Sequence, residues 1–486
     1  MAGDRRVSER ERLTEWVEQW AARQTVAPTV VLTRGSGEHL ELLAARCPEA
    51  LIVSWVAEGA VTGRRGRILT LSAVEDRVGA VVRGLLTLGL EVLRADPPAR
   101  LVTEAPDAAS FAAAIAQWLR QARVEQQTLL AAAEGWVEHL EANLPRLLTS
   151  ASAAEMIGAL AGRPLVVIGS GPSRNVLLDQ LEGWADRCVL LATNSSVRAL
   201  VERGLRPDGV VVIEGKNCAA DLEGVDPALL DRAVLFTKAS THPAHLDWPI
   251  ERRAVFLGPA DGWLAGWFGR ASSLPTGGNA GTTALLLAWI LGAFPILATG
   301  LDFALGADGN TGRRAGAGAP TEQVMGWRGQ MLEAELPFVC YREQTEQVLA
   351  SIRVRDPRAR FLSLSDQGAR IAGMEVIEWT ALREHLPPLA PGSLARAFDD
   401  RKRRSTDARR LQQEIAAVLA RFEEVADEPL GPAIGLALLS PPNRVLRALA
   451  GPALIRQPTA AAFEQVRRRF ELLGRRAVEL AEGGAG

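Results

Sequence analysis

The sequence predicts an α/β protein: a central domain built on a mostly parallel sheet, a smaller N-terminal α/β domain and a C-terminal helical domain. Three observations carry that prediction. Short apolar runs rich in β-branched residues alternate with helical stretches from about residue 30 to residue 385, the pattern of βαβ units. Glycines and polar residues gather directly after those runs, where ligands bind in open α/β sheets. Beyond Pro391 the pattern becomes helical only. With 486 residues the chain exceeds one core, and the composition shifts place boundaries at 1–109, 110–150 (a helical connector), 151–390 and 391–486.

Residues 1–25 read as an amphipathic lead-in, with Leu13, Trp16, Val17 and Trp20 at helical spacing. Strands are expected at Val30–Leu32, Leu51–Val53, Ile68–Thr70 and Leu90–Leu93, with helices at His39–Arg46 and Val74–Leu88. Arg34-Gly-Ser-Gly37 reads as a structural turn. From Ser110 to about Leu148, Trp118, Leu119, Val124, Leu129, Trp136 and Leu140 form one apolar face, so the two tryptophans are read as packing residues.

The central region opens with Leu165-Val-Val-Ile168, a buried strand, running into Gly169-Ser-Gly-Pro-Ser173 and then a helix from Asn175 to about Trp184. A helix start with hydroxyls and free backbone N–H groups is a ready anion cradle; an ordinary strand-to-helix connection reads equally well. Arg174 stands where the third glycine of a dinucleotide fingerprint belongs, and no Gly-Lys-Ser/Thr follows to make a P-loop. Further strands are expected at Cys188–Ala192, Gly209–Ile213, Ala233–Thr237 and Ala254–Leu257. They end on Thr193-Asn-Ser-Ser196, Glu214-Gly-Lys216, Lys238-Ala-Ser-Thr-His242 and Gly258-Pro259.

A second glycine cluster, Pro275-Thr-Gly-Gly-Asn-Ala-Gly-Thr-Thr283, opens a helix, and the strand Ile296–Thr299 leads to Gly300-Leu-Asp302. Residues 284–301 carry no charge, but Gly292 and Pro295 divide them into a buried helix and strand instead of a membrane span. The loop 305–320 is glycine-rich, with Arg313 and Arg314 as phosphate partners. In the C-terminal part, 397–430 and 440–483 read as helices, the first with a stripe of Leu411, Ile415, Val418, Leu419, Phe422 and Val425. The basic clusters 401–404 and 467–469 are flanked by acids and read as solvated faces.

A formal net charge of −2 argues against a general affinity for nucleic acid. Cys47, Cys188, Cys218 and Cys340 are scattered, which fits neither a zinc site nor a disulfide framework and suits a reducing cytoplasm. The charged N-terminus lacks the apolar core of a signal peptide.

Taken in order, I-G-S-G-P-S, L-A-T-N-S-S, G-L-R-P-D-G-V-V-V-I-E, G-G-N-A-G-T-T-A-L-L-L-A and A-T-G-L-D-F-A resemble the Maf (motility-associated factor) flagellin glycosyltransferases. They also resemble the wider group that contains 6-hydroxymethylpterin diphosphokinases. The segment from Trp136 through Asn143-Leu144 to Gly162-Arg-Pro164, and Gln367-Gly-Ala-Arg-Ile-Ala-Gly373, are similar to the flanking motifs, so the likeness covers about residues 115–380. It implies a sialyltransferase-like domain that transfers a pseudaminic- or legionaminic-type nonulosonic acid from a CMP-sugar to Ser or Thr hydroxyls of flagellin, with no cofactor or metal required. On that carry-over Gly169, Ser170, Gly171, Pro172 and Ser173 hold the nucleotide. Asn194 with Gly277, Gly278, Asn279, Gly281, Thr282 and Thr283 places nucleotide and sugar, and Asp302, Glu214 and His242 are the catalytic candidates.

Two departures stand out. Glu214 replaces the family's Asp, and in Asp308-Gly-Asn-Thr-Gly312 a glycine stands where members often carry a histidine. That leaves His242 and His245 as nearby candidate bases. The competing readings are a pterin diphosphokinase and a nucleotide-binding adaptor with weakened catalysis. Gly171→Val is expected to abolish nucleotide binding and leave the fold intact.

Overall fold

The computed structural model describes residues 9–22, 30–34, 38–48, 50–55, 63–65, 68–71, 101–103, 117, 120, 128, 132, 135–181, 186–258, 261–274, 278–306, 321–401, 408–426 and 460–483. The chain divides into two compact units. One comprises Met1–Ala131, Glu423–Asn443 and Ala450–Glu464; the other comprises Ala132–Phe422, Arg444–Leu449 and Gln465–Gly486.

In the first unit, α1 (Glu9–Ala22) and α2 (Glu38–Arg46) accompany a five-stranded sheet of β1 (Val30–Arg34), β2 (Leu51–Trp55), β3 (Gly63–Arg65), β4 (Ile68–Leu71) and β5 (Leu101–Thr103). The order is β3-β4-β2-β1-β5, parallel except for the β3–β4 pair. Its core gathers Val17, Val31, Leu40, Leu43 and Ile52. The strand expected at 90–93 and the helix at 74–88 lie outside the described residues.

The second unit is the sheet that matters for the site. Its strands are β6 (Ala151–Ser152), β7 (Leu165–Ile168), β8 (Val189–Thr193), β9 (Gly209–Val212), β10 (Val234–Lys238), β11 (Arg252–Phe256), β12 (Ile296–Thr299), β15 (Phe361–Ser363) and β16 (Glu375–Val376). They run in the order β16-β15-β12-β7-β8-β9-β10-β11-β6, and every pairing is parallel. A parallel sheet is buried on both faces, so its strands read as continuous apolar runs. Val167, Val189, Leu191, Val211, Phe236 and Phe256 point to one face, in one apolar cluster with residues of the helices Ala280–Ile290 and Ser393–Asp399. Val166, Ile168, Leu190, Val210, Val212 and Leu235 point to the other, under Leu177, Leu178, Val197 and Leu200.

From β7 the chain works outward through β8, β9, β10 and β11, then returns to lay β12 on the other side of β7. The topological switch point, where ligands bind in this class of sheet, therefore lies between β7 and β12. The uncharged stretch 284–301 is the buried helix Ala280–Ile290 followed by β12. Among the described residues no helix is long and apolar enough to cross a membrane. An antiparallel hairpin, β13 (Thr321–Met325) with β14 (Met331–Glu335), follows. In the C-terminal part the expected 397–430 helix is divided into Ser393–Asp399 and Ala408–Ala426, and Ala460–Gly483 closes the described chain.

Candidate functional site

The turn after β7 folds onto the turn after β12. Gly169 N donates to Thr299 O at 2.8 Å and Gly171 N to Gly300 O at 2.9 Å. Ser173 N donates to Asp302 Oδ2 at 2.9 Å, the Ser173 hydroxyl donates to Asp302 Oδ1, and Gly300 N donates to Ser173 Oγ at 3.0 Å. This corrects the expectation of free backbone donors: three N–H groups of Gly169–Ser173 are spent on the neighbouring strand end. The glycines are required by that closeness. A Cβ on Gly169 would lie 2.3 Å from Gly300 O, and one on Gly171 2.6 Å from Asp302 Cγ. The idea that Gly171→Val leaves the fold intact is therefore overturned, because valine displaces the Asp302 carboxylate.

Asp302 is buried, and burial pushes its carboxyl above the usual carboxylate range against the hydrogen bonds from Ser173 and the nearby Arg174. Gly368, at φ +79°, closes the other side, where a Cβ would lie 2.6 Å from Asp302 Cα, and Ala369 N donates to Asp302 O at 2.7 Å. The chain leaves the strand through Gly300 at φ +70° and Phe303 at φ +44°. A bulky residue in the left-handed region is held there only by firm surroundings.

The second glycine turn meets the first on one side chain. Cβ atoms built on Gly169 and Gly281 would lie 2.8 and 2.5 Å from the same Leu301 Cδ2. Asn279 caps the helix Ala280–Ile290 by accepting from Thr282 N at 2.8 Å. Thr282 Oγ1 pairs with Thr345 Oγ1 at 2.6 Å, and Thr283 Oγ1 donates to Asn279 O at 3.0 Å. Both threonines are 0% exposed, so their hydroxyls serve the turn itself. Gly278 takes φ +70°. Gly277, Asp308, Gly312, Arg313 and Arg314 lie outside the described residues.

Along the carboxyl ends of β8 to β11 the polar groups form a row. Asn194 is buried, its Nδ2 donating to Asp221 Oδ2 at 2.6 Å. Arg174 reaches across from the first turn to Ser195 O at 3.2 Å and Ser196 Oγ at 3.3 Å. Glu214 follows β9, and its carbonyl accepts from His242 N at 3.1 Å and Thr241 Oγ1 at 3.2 Å. Lys238, at the end of β10, is buried with Nζ 4.5 Å from the centroid of the Trp136 ring. Burial pulls its pKa down, while Asp261 and Glu214 hold it up. Asp261 is itself 0% exposed, and burial pushes its pKa up against the pull of Lys238.

Three histidines sit at the same end. The His242 ring centroid is 4.8 Å from His139, edge to face, and 5.8 Å from His245. His242 Nδ1 accepts from Ala244 N at 3.2 Å, capping the turn Pro243–Asp247. His245 is enclosed: Nε2 accepts from Cys218 N at 3.0 Å, so Nδ1 carries the proton and bonds Thr241 Oγ1 at 2.8 Å. Burial, with His242 and His139 adding to it, lowers the His245 pKa to about 4. With both nitrogens spent, His245 is a structural residue.

The predicted residues thus fall into two groups. Gly169, Gly171, Ser173, Asn194, Gly281, Thr282, Thr283 and Asp302 are enclosed and build the scaffold, whereas Ser170, Pro172, Glu214, His242 and Asn279 are half-buried and Gly278 is exposed. Sequence reasoning missed Lys238, Asp261 and His139. Trp136, His139 and Asn143 stand on one face of the helix over 135–147, a spacing visible in the sequence, and that face lies on the ends of β9 and β10. Asn143 Nδ2 donates to Ala239 O at 3.1 Å and Thr241 O at 2.8 Å, and a Cβ on Gly215 would lie 2.5 Å from Trp136 Nε1.

This sheet has known counterparts. Residues 138–308 match the family model described as 6-hydroxymethylpterin diphosphokinase MptE-like. The fold is similar to that of a Maf glycosyltransferase from Magnetospirillum magneticum AMB-1, with a TM-score of 0.53 and 18% identity over 97% of this chain and 83% of that one. No curated protein matches the chain. The resemblance carried by the motifs is therefore borne out at the level of sheet and fold. Among the described residues no group of three or more His, Cys, Asp and Glu side chains is placed to hold a metal ion.

Proposed function

We propose that the chain is a glycosyltransferase that moves a nonulosonic acid of the pseudaminic or legionaminic type from its CMP-sugar to Ser or Thr hydroxyls of flagellin, in the cytoplasm and without a resident cofactor. The observation that carries this reading is the row of half-buried polar residues, Ser170, Ser195, Glu214 and His242, on the carboxyl ends of four successive parallel strands beside the switch point. At about 4.8 Å per strand, β7 to β10 spans roughly 14 Å. On this reading the nucleotide lies against Gly169–Ser173, between Asn279 and Ser195, with its sugar toward Glu214 and His242. The fold likeness to a Maf glycosyltransferase supports the same reading.

In such a transfer the anomeric C–O bond to phosphate breaks with its electron pair on the phosphate oxygen. The acceptor oxygen bonds the anomeric carbon, and the acceptor's proton passes to a base. Fixed donors around the departing phosphate stabilise its growing charge. Co-expression of flagellin with this chain and a CMP-pseudaminic acid supply tests the reading by intact mass. A flagellin mass increase that depends on this chain is expected; an unchanged mass with CMP still bound would leave an adaptor.

The description of the family model matched by residues 138–308 favours a second reading, a pterin diphosphokinase. Calorimetric titration separates the two. Binding of CMP is expected, whereas binding of ATP with Mg²⁺ and no binding of CMP would favour the diphosphokinase.

A further inference from the structure

We propose that His139, on the helix over 135–147, is the base that takes the acceptor hydroxyl's proton, and that His242 faces the same substrate as a hydrogen-bond donor. The inference rests on the glycosyl-transfer reading and supplies the base that the sequence, with Gly312 in place of a histidine, leaves unassigned.

The argument begins with proton positions. An amide N–H only donates, so the nitrogen of His242 that accepts from Ala244, Nδ1, carries no proton. The neutral ring then bears its hydrogen on Nε2, and no described residue accepts it. Its one lone pair is already engaged, so His242 in this geometry offers a proton and takes none. His245 is closed at both nitrogens. His139 is the remaining ring of the cluster, half-buried and in edge contact with His242. Its Nδ1 is buried and has no partner in good hydrogen-bond geometry, the Ser240 backbone being the group beside it, so Nε2 is the nitrogen assigned to the substrate.

The surroundings keep that nitrogen free of a proton. Burial is the main cause of a His139 pKa below the ordinary histidine value, with His242 second and Lys238 acting in the same direction; Glu138 on its own helix and the Ser240 backbone act against them. His245 is the other titratable ring at this spot. The helix is also held in place. Asn143 donates to two carbonyls of the loop after β10, and Trp136 lies on Gly215 and under Lys238. A base fixed before the substrate arrives needs no rearrangement at the moment of reaction.

In the step itself, His139 Nε2 takes the acceptor proton as the acceptor oxygen bonds the anomeric carbon. The bond to the phosphate oxygen breaks with its electron pair on that oxygen, and the imidazolium later releases its proton to water. His242 Nε2–H donates a hydrogen bond to an anionic oxygen of the donor sugar nucleotide, without transferring its proton.

Two pairs of variants test this in the full-length chain, each checked for folding by circular dichroism and thermal melting. His139→Gln and His139→Asn are expected to lower kcat for transfer from CMP-pseudaminic acid to flagellin by about 100-fold or more. They should also remove the acid limb of the pH–rate profile and leave CMP affinity by calorimetry within about threefold. His242→Gln keeps a donor where Nε2–H was, and His242→Asn keeps only the cap. Greater activity for Gln than for Asn is expected. Nitrogen-15 NMR of labelled histidines, read without any reaction, should show His242 protonated at Nε2 and His245 at Nδ1. Transfer by His139→Gln within about fivefold of wild type, or a proton on His242 Nδ1, overturns the proposal. A folded wild-type chain that binds CMP but transfers no nonulosonic acid overturns the transfer reading and the base role together, while the NMR result still reports on the ring pair.

Discussion

Asp302→Ala tests the switch-point clamp most directly. In the folded chain the carboxylate accepts from Ser173 N at 2.9 Å and from the Ser173 hydroxyl. Hydrogen bonds to a charged partner contribute about 1.5–3 kcal/mol each, so their simple sum is about 3–6 kcal/mol. Two things reduce it. Burial already costs the ionised carboxylate something, as its raised pKa shows, and Ser173 Oγ keeps the N–H of Gly300 at 3.0 Å. A loss of about 3 kcal/mol is expected for alanine. For Asp302→Asn about 1 kcal/mol is expected, because its oxygen still accepts from Ser173 N and its amide donates to Ser173 Oγ. Urea unfolding of both variants, followed by tryptophan fluorescence, measures the difference. The sign of the pH dependence follows from the raised pKa: the folded carboxyl keeps a proton that the unfolded chain has lost. Its contribution therefore falls as pH rises from the ordinary aspartate range through the folded value, and Asp302→Asn removes that slope. An alanine variant within about 1 kcal/mol of wild type would show that Asp302 is not the clamp described.

The glycines of the lock should differ in tolerance. Gly169→Ala meets a backbone oxygen at 2.3 Å and should cost well over the usual range of about 1–3 kcal/mol for overpacking, whereas Gly281→Ala meets side-chain atoms, the end of Leu301 at 2.5 Å and Asn279 Oδ1 at 3.2 Å, and Leu301→Ala should restore part of its loss in a double-mutant cycle of melting temperatures. Gly171→Val should lower thermal stability together with CMP affinity, measured by melting and calorimetry. His245 is held neutral with a pKa of about 4, so below about pH 6.5 the unfolded chain takes up a proton that the folded chain refuses. Stability should fall between about pH 6.5 and pH 4, and His245→Gln should flatten that part of a denaturation-against-pH series.

The sheet was readable in the sequence because buried parallel strands need unbroken apolar runs. Leu165–Ile168 and Ile296–Thr299 are strands over the residues expected. Phe361–Ser363 and Glu375–Val376 were missed because they hold only two and one apolar residues, too few to stand out as a run. The glycine turns were visible as turns, but their partners were not. Ser173 spends its donors on a residue 129 positions away, and no local pattern records that pairing. His139 looked like one polar residue on an amphipathic helix. Only the seating of that helix on β9 and β10 turns it toward His242.

The lock around Leu301 and Asp302 has an evolutionary consequence. Gly169, Gly171, Gly281 and Gly368, drawn from three separate motifs, are each shaped by atoms of residues 300–302. Whatever chemistry a descendant of this chain performed, these close contacts would press it to keep glycine there, least strictly at Gly281, where only side-chain atoms stand in the way. In this chain the glycine motifs thus record how one sheet is joined, separately from whatever chemistry its rim performs. On the proposed transfer reading, a change of activity would fall instead at the half-buried rim, at His139, Glu214 and His242.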